Sequence, residues 1–352
     1  MSVVQYKCPN CGGSLEFNAA KQSFDCEFCL SSFNDEQLKA AFPENENHPL
    51  DKEDKEVNTD DFTENTSLYS CPNCGAEIMA EDTTAATFCY YCHGPVILTG
   101  RLSGKYRPTK VIPFKYEKNA AVDGFQNWCK KRWFLPNDFK SLSQLEKISG
   151  VYMPFWLADC KVDANASAIG KKIRTWSSGD MRYTETKEYD IRRSAYLDFE
   201  GIPADGSSKA DDRLMEAIEP FDYKQFEEFS MSYLSGYLAE KYDVDNIAVF
   251  PRIKQRTETA SQQLLKNSMV GYDSVMVTYS NTDIIRTDWH YMLLPVWLLT
   301  YKFKDKNYFF SMNGQTGKMV GIPPLSVPKM LAFAGILGAV AFAIALIGGI
   351  FL

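Results

Sequence analysis

Eight of the ten cysteines form two sets of four, and each set has the spacing of a metal site. In each set two Cys-x-x-Cys pairs flank fourteen residues, and the first pair reads Cys-Pro-Asn-Cys-Gly. The sets are Cys8, Cys11, Cys26 and Cys29, then Cys71, Cys74, Cys89 and Cys92. Four thiolates so spaced bind one Zn²⁺ tetrahedrally, which is typical of zinc ribbons. We therefore predict two zinc ribbons, each holding one structural Zn²⁺.

A disulfide framework is the alternative interpretation of these cysteines. The other two cysteines, Cys129 and Cys160, are isolated in the sequence, and we expect both to be buried thiols. Residues 1–7 run into the first Cys-x-x-Cys pair without a recognisable signal peptide. We therefore expect a reducing cytosol, where such pairs indicate metal binding rather than disulfides.

Short strands must bring the two cysteine pairs of each set together. Alternating or apolar residues predict a strand before and after each turn, at 15–17, 23–25, 77–79 and 86–88. Each ribbon would then fold back as a hairpin. Asn34 or Asp35 can cap a short helix that follows the first ribbon and ends at Phe42.

The residues that could serve catalysis are few. With four cysteines each, the predicted metal sites are closed, which is structural rather than catalytic geometry. Of the three histidines, His93 follows a complete ligand set, and we expect it outside the metal shell. Asp288 and His290 could form a polar pair, which structure alone would also explain. Residues 314–319 lack the spacing of a phosphate-binding loop. We predict no enzyme.

The fold class that we predict is α+β with five segments. These are zinc ribbon 1 with its short helix (1–42), an acidic flexible linker (43–67), zinc ribbon 2 (68–100), an aromatic-rich domain (101–328) and a transmembrane helix (329–352). In the large domain, strands are predicted at 151–163, 181–198, 272–287, 290–304 and 306–321, with helical blocks at 211–240 and 251–269. Pro251 would begin the second block.

The large domain also contains two similar aromatic segments, 152–157 and 291–298. They indicate either a duplicated helix-then-sheet unit or a coincidence in an aromatic-rich sequence. In both cases we expect their aromatic side chains to lie in the core: Tyr152, Trp156, Tyr291 and Trp297.

Charge is distributed unevenly along the chain. Residues 1–100 hold five Lys, no Arg and seventeen Asp or Glu, a formal charge of −12, whereas residues 101–352 carry +5. Nucleic-acid binding needs Lys and Arg, so the ribbons are poor candidates for it. Basic residues cluster at 101–118, 130–132 and 171–174. They form either a solvated surface or a surface attracted to the anionic inner leaflet of a membrane.

Residues 330–352 form an uncharged stretch that is long enough to cross a bilayer, about 35 Å as a helix. Lys318 and Lys329 precede it, so the positive-inside rule places residues 1–329 in the cytoplasm. A buried core helix is the alternative. Small residues recur every four positions at Gly335, Ala339 and Ala343, which favours pairing with another membrane helix.

These features together resemble the YdjG-like bacterial membrane proteins over nearly the whole chain. The resemblance is carried by the two Cys-Pro-Asn-Cys-Gly ribbons, the aromatic body, the segment 313–318 (Asn-Gly-Gln-Thr-Gly-Lys) and the terminal helix. Such proteins are described as TFIIB-type zinc-ribbon proteins and are sometimes mislabelled primosomal or replicative helicases. The resemblance implies a cytoplasm-facing membrane platform with PspA-like and SPFH-domain partners of membrane stress. It carries over the eight cysteines and no catalytic residue.

The function that we predict is a membrane-anchored scaffold that recruits cytosolic proteins through its zinc ribbons. The linker would let the first ribbon search for partners. The alternative is a membrane-tethered nucleic-acid-binding factor of the replication or transcription type.

Overall fold

The computed structural model describes residues 3–43, 66–89, 92–137, 139, 145–303 and 306–350, so most of the predicted linker lies outside the described residues. The strands are Val3–Val4 (β1), Leu15–Asn18 (β2), Ser23–Cys26 (β3), Ser32–Phe33 (β4), Thr66–Ser70 (β5), Glu77–Glu81 (β6), Thr84–Phe88 (β7), Pro95–Leu98 (β8), Lys110–Val111 (β9), Ser149–Ser178 (β10), Met181–Asp205 (β11), Glu227–Glu228 (β12), Leu238–Glu240 (β13), Ser274–Phe303 (β14), Lys306–Asn313 (β15) and Met319–Gly321 (β16). The α-helices are Asp35–Ala41 (α1), Lys118–Lys130 (α2), Asp212–Ala217 (α3), Asn246–Asn267 (α4) and Val327–Ile350 (α5).

The chain folds into two compact units, and the predicted α+β class is confirmed. Unit 1 comprises Met1–Met153, Lys209–Lys241 and Leu293–Leu352; unit 2 comprises Pro154–Ser208 and Tyr242–Met292. The residues of β10 and β14 are divided between the two units. Both cysteine sets belong to unit 1.

The first ribbon forms the hairpin that its alternating residues predict. β2 pairs with β3 from Leu15↔Cys26 to Asn18↔Ser23, and β4 extends this small sheet. The Asn18 side chain accepts hydrogen bonds from the N–H groups of Ala20 and Lys21, which closes the turn. The predicted strands at 15–17 and 23–25 are therefore confirmed.

The helix after the first ribbon begins at the predicted cap. The Asn34 side chain accepts from the Gln37 N–H at 2.8 Å, and the Gln37 side chain accepts from the Asn34 N–H at 2.9 Å. This reciprocal capping box satisfies two donors that a helix start leaves open. Leu38 is the residue that the helix buries.

The second ribbon pairs its strands differently. β6 pairs with β5, whereas β7 pairs with β8 and, on its other side, with β13. The strands at 77–79 and 86–88 are confirmed, but they belong to different sheets instead of one hairpin. Apolar residues from both sheets, among them Ile78 and Val96, form a shared cluster with Cys71 and Cys89. Burial of this apolar cluster stabilises the second ribbon, although β6 and β7 do not pair with each other.

The first ribbon also packs against the rest of unit 1. β1 pairs with β8 through Val3↔Leu98, and the Phe17 N–H donates to the Ser235 carbonyl at 3.0 Å. The Phe17 ring lies 5.3 Å from the Tyr233 ring. From the acidic linker we expect the first ribbon to move freely and search for partners. These contacts correct that expectation, because they hold the first ribbon against the rest of unit 1. Their physical cause is that Phe17 would otherwise expose a large apolar side chain to water.

Aromatic side chains fill the centre of unit 1. The Phe114 ring stacks on Tyr237 at 4.2 Å and meets the edges of Tyr152 and Trp297 at 5.0 and 5.2 Å. Tyr152 and Trp297 are both buried, as predicted, and so are Trp156 and Tyr291 in unit 2. The four aromatic residues of the two similar segments are therefore core residues.

Unit 2 is built on long antiparallel strands. β10 pairs with β11 from Phe155↔Asp205 to Ser178↔Met181, and β14 neighbours β10 on its other edge. Helix α4 packs against β11 and buries one residue every four positions: Val249, Ile253, Thr257, Ser261 and Leu265. This spacing places all five on one helix face.

Three expectations for the large domain are corrected. The strands predicted at 272–287 and 290–304 are one continuous strand, β14, because no glycine or proline lies between them. The helical block predicted at 211–240 is only the short helix α3, followed by two short 3-10 helices and the strands β12 and β13, since Pro220 and Gly236 disfavour a long α-helix. Helix α4 begins at Asn246, where the Asp245 side chain caps it, so Pro251 lies inside the helix.

The two similar segments also differ in placement. Tyr152 lies near the start of β10, whereas Tyr291 lies well along β14. This is not the equivalent placement that a duplication predicts.

Helix α5 is long and apolar enough to cross a membrane. Val327–Ala345 has a mean hydropathy of 2.0, and no residue of this segment is fully buried. A core helix of the same composition would be covered, so the exposure argues against that alternative. Pro328 lies in the first turn, where a proline is tolerated because its missing N–H would have no partner.

Candidate functional site: two cysteine clusters and an adjoining groove

Two tight turns hold each cysteine set. In the first set the Cys8 N–H donates to the Gly13 carbonyl at 2.6 Å and the Gly12 N–H donates to Cys8 at 2.8 Å. Gly12 has a φ of +76°, which favours glycine after the cysteine pair. The second pair begins at the end of β3 with Cys26, whose carbonyl accepts from Leu30 at 2.9 Å.

The second set repeats this geometry. The Cys71 N–H donates to Ala76 and the Gly75 N–H donates to Cys71, at 2.8 and 2.9 Å. Gly75 has a φ of +74°, matching its counterpart in the first set. The Cys89 carbonyl accepts from the His93 N–H at 2.9 Å, so His93 belongs to the turn through its backbone. No histidine belongs to either cysteine cluster among the described residues, in line with the expectation for His93.

The sulfur positions fit a metal ion. Within each set all four Sγ atoms lie within 4.8 Å of one another. The shortest pairs are 3.5 Å in the first set and 3.7 Å in the second. A tetrahedral Zn²⁺ with bonds of about 2.3 Å separates its sulfurs by roughly 3.8 Å, whereas a disulfide requires about 2.05 Å. All ten cysteines are free thiols, so a disulfide framework is excluded and both clusters can bind a metal ion.

Hydrogen bonds stabilise the thiolate form of one cysteine in each cluster. Ser31 lowers the pKa of Cys29 to about 6 through its side chain and backbone, and the Asn73 side chain lowers the pKa of Cys92 to about 6. Asn10, the counterpart of Asn73, donates to the Ser31 hydroxyl at 2.9 Å. The asparagine of each Cys-Pro-Asn-Cys pair therefore supports the last cysteine of its set.

The opposing thiols are held in the protonated form. The Gly13 N–H lowers the pKa of Cys11, but contacts with Cys29 and Cys26 and desolvation outweigh it and raise the pKa to about 12. The Ala76 N–H likewise lowers the pKa of Cys74, but desolvation and the neighbouring thiols outweigh it and raise the pKa to about 12. Metal binding must displace these protons, so metal affinity falls as the pH falls.

A groove of about 590 Å³ lies beside the first cluster, within unit 1. Aromatic and aliphatic side chains line part of it: Phe17, Leu30, Phe88, Tyr237 and Trp297. Leu30 is 85% exposed, beside the equally prominent Phe28 at 77%. The knuckle of the first ribbon thus presents two apolar side chains to solvent, and one of them, Leu30, lines the groove.

The charge of this groove is negative. Its carboxylates are Glu16, Asp25, Glu27 and Glu117, and its cations are Lys21 and Lys118. Lys21 pairs with Asp25 at 2.9 Å, so three carboxylates face one further cation. Burial raises the pKa of Glu16, and repulsion from Glu27 adds to it. Among the described residues none of Glu16, Glu27 and Glu117 has an ion-pair partner.

Comparison with known proteins gives one full-length relative. The chain is 36% identical over 351 residues to the uncharacterized protein YdjG of Bacillus subtilis (strain 168), covering 98% of this chain and 97% of the relative. The chain belongs to the YdjG family. No family model matches the chain, and no solved structure matches it. The resemblance expected from the ribbons, the body and the helix is therefore confirmed at the level of the family.

This YdjG-family chain has a buried arginine at the second ribbon that its sequence does not distinguish. Arg101 is 8% exposed; its guanidinium donates to Tyr69 at 2.8 Å, to the Asp82 carboxylate at 2.7 Å and to Ser67 at 3.0 Å. Arg101 thus connects β5 to the turn between β6 and β7. It does not belong to the exposed basic cluster in which the sequence places it.

The histidine that the sequence offers for catalysis has a different partner from the one expected. The His290 Nε2 atom lies 3.0 Å from the Asp159 carboxylate, while Asp288 pairs with Arg286 at 2.9 Å. Asp288 and His290 therefore do not pair. Both members of the His290–Asp159 pair are well exposed, as in a surface ion pair.

Proposed function

We propose that this YdjG-family protein is a membrane-anchored scaffold that recruits a cytosolic protein through its first zinc ribbon. The groove beside that ribbon carries the proposal. It joins an apolar lining to unpaired carboxylates, and it is wide enough for several side chains. The matching partner is a segment that alternates basic and apolar residues, because charge complementarity guides both encounter and register.

Two structural Zn²⁺ ions are part of the proposal. Each would bind four thiolates, so its tetrahedral shell is filled and no position remains for water or substrate. The ions would be held by Cys8, Cys11, Cys26 and Cys29 and by Cys71, Cys74, Cys89 and Cys92. Their role would be to fix the ribbons, and with the first ribbon the wall of the groove.

Helix α5 would cross the cell membrane with the remaining described residues on the cytoplasmic side. Lys318 and Lys329 at its near end support this orientation. A membrane-impermeant maleimide tests it on the Tyr196→Cys variant, since this side chain is 81% exposed. Labelling should require cell lysis, and labelling in intact cells would reverse the orientation. The stripe of Gly335, Ala339 and Ala343 supports a second proposal, that α5 pairs with another membrane helix.

The resemblance to YdjG-like proteins suggests which partners to examine first. These are membrane-stress proteins of the PspA-like and SPFH-domain types. The proposal assigns no catalytic step to the chain. Binding of nucleic acid in place of protein is the outcome that would favour the alternative, a membrane-tethered nucleic-acid-binding factor.

Binding of a defined probe to the full chain in lipid nanodiscs tests the proposal. The probe is a fluorescent peptide that alternates arginine and leucine, and its control replaces arginine by glutamate. We expect the basic peptide to bind and the acidic one not to bind. Glu16→Gln with Glu27→Gln should weaken binding about fivefold, since two unpaired charges are removed.

The matched control neutralises two exposed carboxylates elsewhere in unit 1, Glu36→Gln with Glu77→Gln, and should bind as the wild type does. Both variants should retain two zinc ions per chain. Equal binding by the groove variant and the control would remove the groove from the proposal. Tighter binding of duplex DNA than of the peptide would favour the nucleic-acid function.

A further inference from the structure

A second cleft, of about 410 Å³, lies in unit 1 where helix α5 leaves the folded body. Its walls are Trp133 and Phe134 on one side and Leu325 and Phe333 on the other. Trp133 is 73% exposed and Leu325 is 55% exposed. Large apolar side chains are thus open to the surroundings at the base of a helix that carries no charge from Met330 onward.

Hydrogen bonds fix this cleft to the start of the helix. The Ser326 N–H donates to the Phe134 carbonyl at 2.8 Å, and the Lys329 ammonium donates to the Leu135 carbonyl at 2.7 Å. The Phe333 ring lies 6.2 Å from Trp133 and 5.4 Å from Phe134. The segment that contains Trp133 and Phe134 is therefore held close to the second turn of α5.

This position sets the level of the cleft in a bilayer. Phe333 lies within the uncharged stretch, so it lies at or below the level of the lipid headgroups once α5 crosses the membrane. Trp133 and Phe134, being in contact with it, would lie at the same level. Tryptophan favours this interface because its ring is apolar and its indole N–H remains hydrated.

Positive charge borders the cleft on the protein side. Lys131 is exposed, and its side chain has no hydrogen bond or ion pair within the part of the chain that the structure describes. The neighbouring Arg132 guanidinium lies 3.6 Å from the centre of the Trp128 ring and donates to the Trp128 carbonyl at 2.8 Å. These contacts hold a second cation in a fixed place beside the first.

We propose that this cleft binds one anionic phospholipid. Lys131 and Arg132 would attract the headgroup phosphate, and an acyl chain would lie along Trp133, Phe134 and Phe333. The apolar walls continue the lipid-facing surface of α5, which favours a lipid over a soluble ligand. The inference rests on the proposed function only in that α5 must cross the membrane.

The experiment uses the full chain purified from vesicles that contain phosphatidylcholine and phosphatidylglycerol. Native mass spectrometry counts the lipids that remain bound. The wild type should retain one phosphatidylglycerol in preference to phosphatidylcholine, and Lys131→Glu should lose this preference. Lys130→Glu is the matched control, because Lys130 is the adjacent lysine and does not line the cleft. Both substitutions lie on the surface and leave the core unchanged.

Fluorescence gives a second readout in vesicles of brominated phosphatidylglycerol. Quenching of the tryptophan emission should fall in Trp133→Phe and persist in Trp176→Phe, which changes another exposed tryptophan. Equal loss of lipid preference in the two lysine variants, or unchanged quenching in Trp133→Phe, would overturn the proposal. Extraction of the wild type from vesicles by alkaline carbonate would instead mean that α5 does not cross the membrane.

Discussion

At the scale of single residues, the four thiols of each cluster act as one unit. Removing one of four ligands leaves a tetrahedral ion with an open position and a weaker hold on the strands around it. Cys74→Ser should therefore reduce the zinc content from two ions to one per chain. Elemental analysis of the purified chain measures this directly.

Cys129→Ser is the matched control for this loss, since Cys129 is a buried thiol outside both clusters, and it should keep two ions. Two ions in Cys74→Ser would mean that the second cluster does not bind metal through this cysteine. The variant should also remain in the membrane fraction, because α5 is unchanged.

Arg101 gives a second residue-scale prediction. Its planar guanidinium reaches three side chains of the second ribbon, and a lysine cannot match that geometry. Arg101→Lys should destabilise the ribbon by about 2 kcal/mol, because buried partners lose their hydrogen bonds. The measurement is the chelator concentration that removes half of the zinc, which should be lower than in the wild type.

Arg213→Lys serves as the control, because that side chain is 83% exposed and pairs only at the surface. Its zinc should be as resistant as that of the wild type. If Arg101→Lys and Arg213→Lys behave alike, the buried network does not support the second ribbon.

The cysteines and Arg101 differ in how far the sequence reveals them. Cys-x-x-Cys spacing places two thiols on one tight turn through local geometry alone, so the clusters can be predicted residue by residue. Arg101 acquires its role from Tyr69 and Asp82, which lie 32 and 19 residues away in the chain. Nothing local distinguishes it from the basic residues that follow it.

At the scale of elements, the first ribbon depends on aromatic contacts with the body of unit 1. The Tyr233 ring lies 5.3 Å from Phe17 and 5.8 Å from Phe24. Tyr233→Ala removes a buried ring, at a cost of about 3 kcal/mol. Amide hydrogen exchange in Leu15–Asn18 should become at least about tenfold faster, while both metal ions remain bound.

Tyr196→Ala, which changes a tyrosine that is 81% exposed, should leave exchange in the hairpin unchanged. Unchanged exchange in Tyr233→Ala would show that the ribbon does not depend on this contact. The sequence did not indicate that the first ribbon packs against the body of unit 1, because the composition of the predicted linker shows only that the linker itself is polar. The free-energy cost of leaving the Phe17 side chain exposed to water can be recognised only once its neighbours in space are known.

Helix α5 provides the second prediction at this scale. Two arginines in its middle, Ala339→Arg with Val340→Arg, should cost about 5–7 kcal/mol of insertion free energy. Alkaline carbonate should then extract the chain from membranes. The same two charges at the near end, Ser326→Arg with Val327→Arg, should leave the chain in the membrane. Retention of the mid-helix variant would contradict a membrane-spanning role for α5.

At the scale of the whole molecule, the two units were not predictable from the order of the segments. Unit 1 collects residues from three separated parts of the chain, including both ribbons and α5, whereas unit 2 is formed by two stretches inserted between them. Long strands such as β10 and β14 contribute residues to both units, so no composition change marks the boundary. The α+β class and the apolar helix were predictable because periodicity and length report on them directly.

The groove beside the first ribbon is likewise a property of the assembled unit 1. Its residues come from several elements: the first ribbon, β7, the start of α2, the start of β10, β13 and β14. The sequence indicates that the ribbons are acidic, but only the fold shows that Glu16 and Glu27 face Tyr237 and Trp297. A scaffold function therefore depends on the ribbon and the body together.

Photocrosslinking from the groove in native membranes tests this account most directly. A photoreactive phenylalanine at Leu30, which is 85% exposed and lines the groove, should form an adduct with a protein. The adduct should resist nuclease, and its yield should fall when Glu16→Gln and Glu27→Gln are added, in line with the weaker binding expected of that variant. The same label at Tyr196, which is comparably exposed, should give no such adduct. An adduct at Leu30 whose yield is unchanged by loss of both carboxylates, or that nuclease removes, would contradict the account.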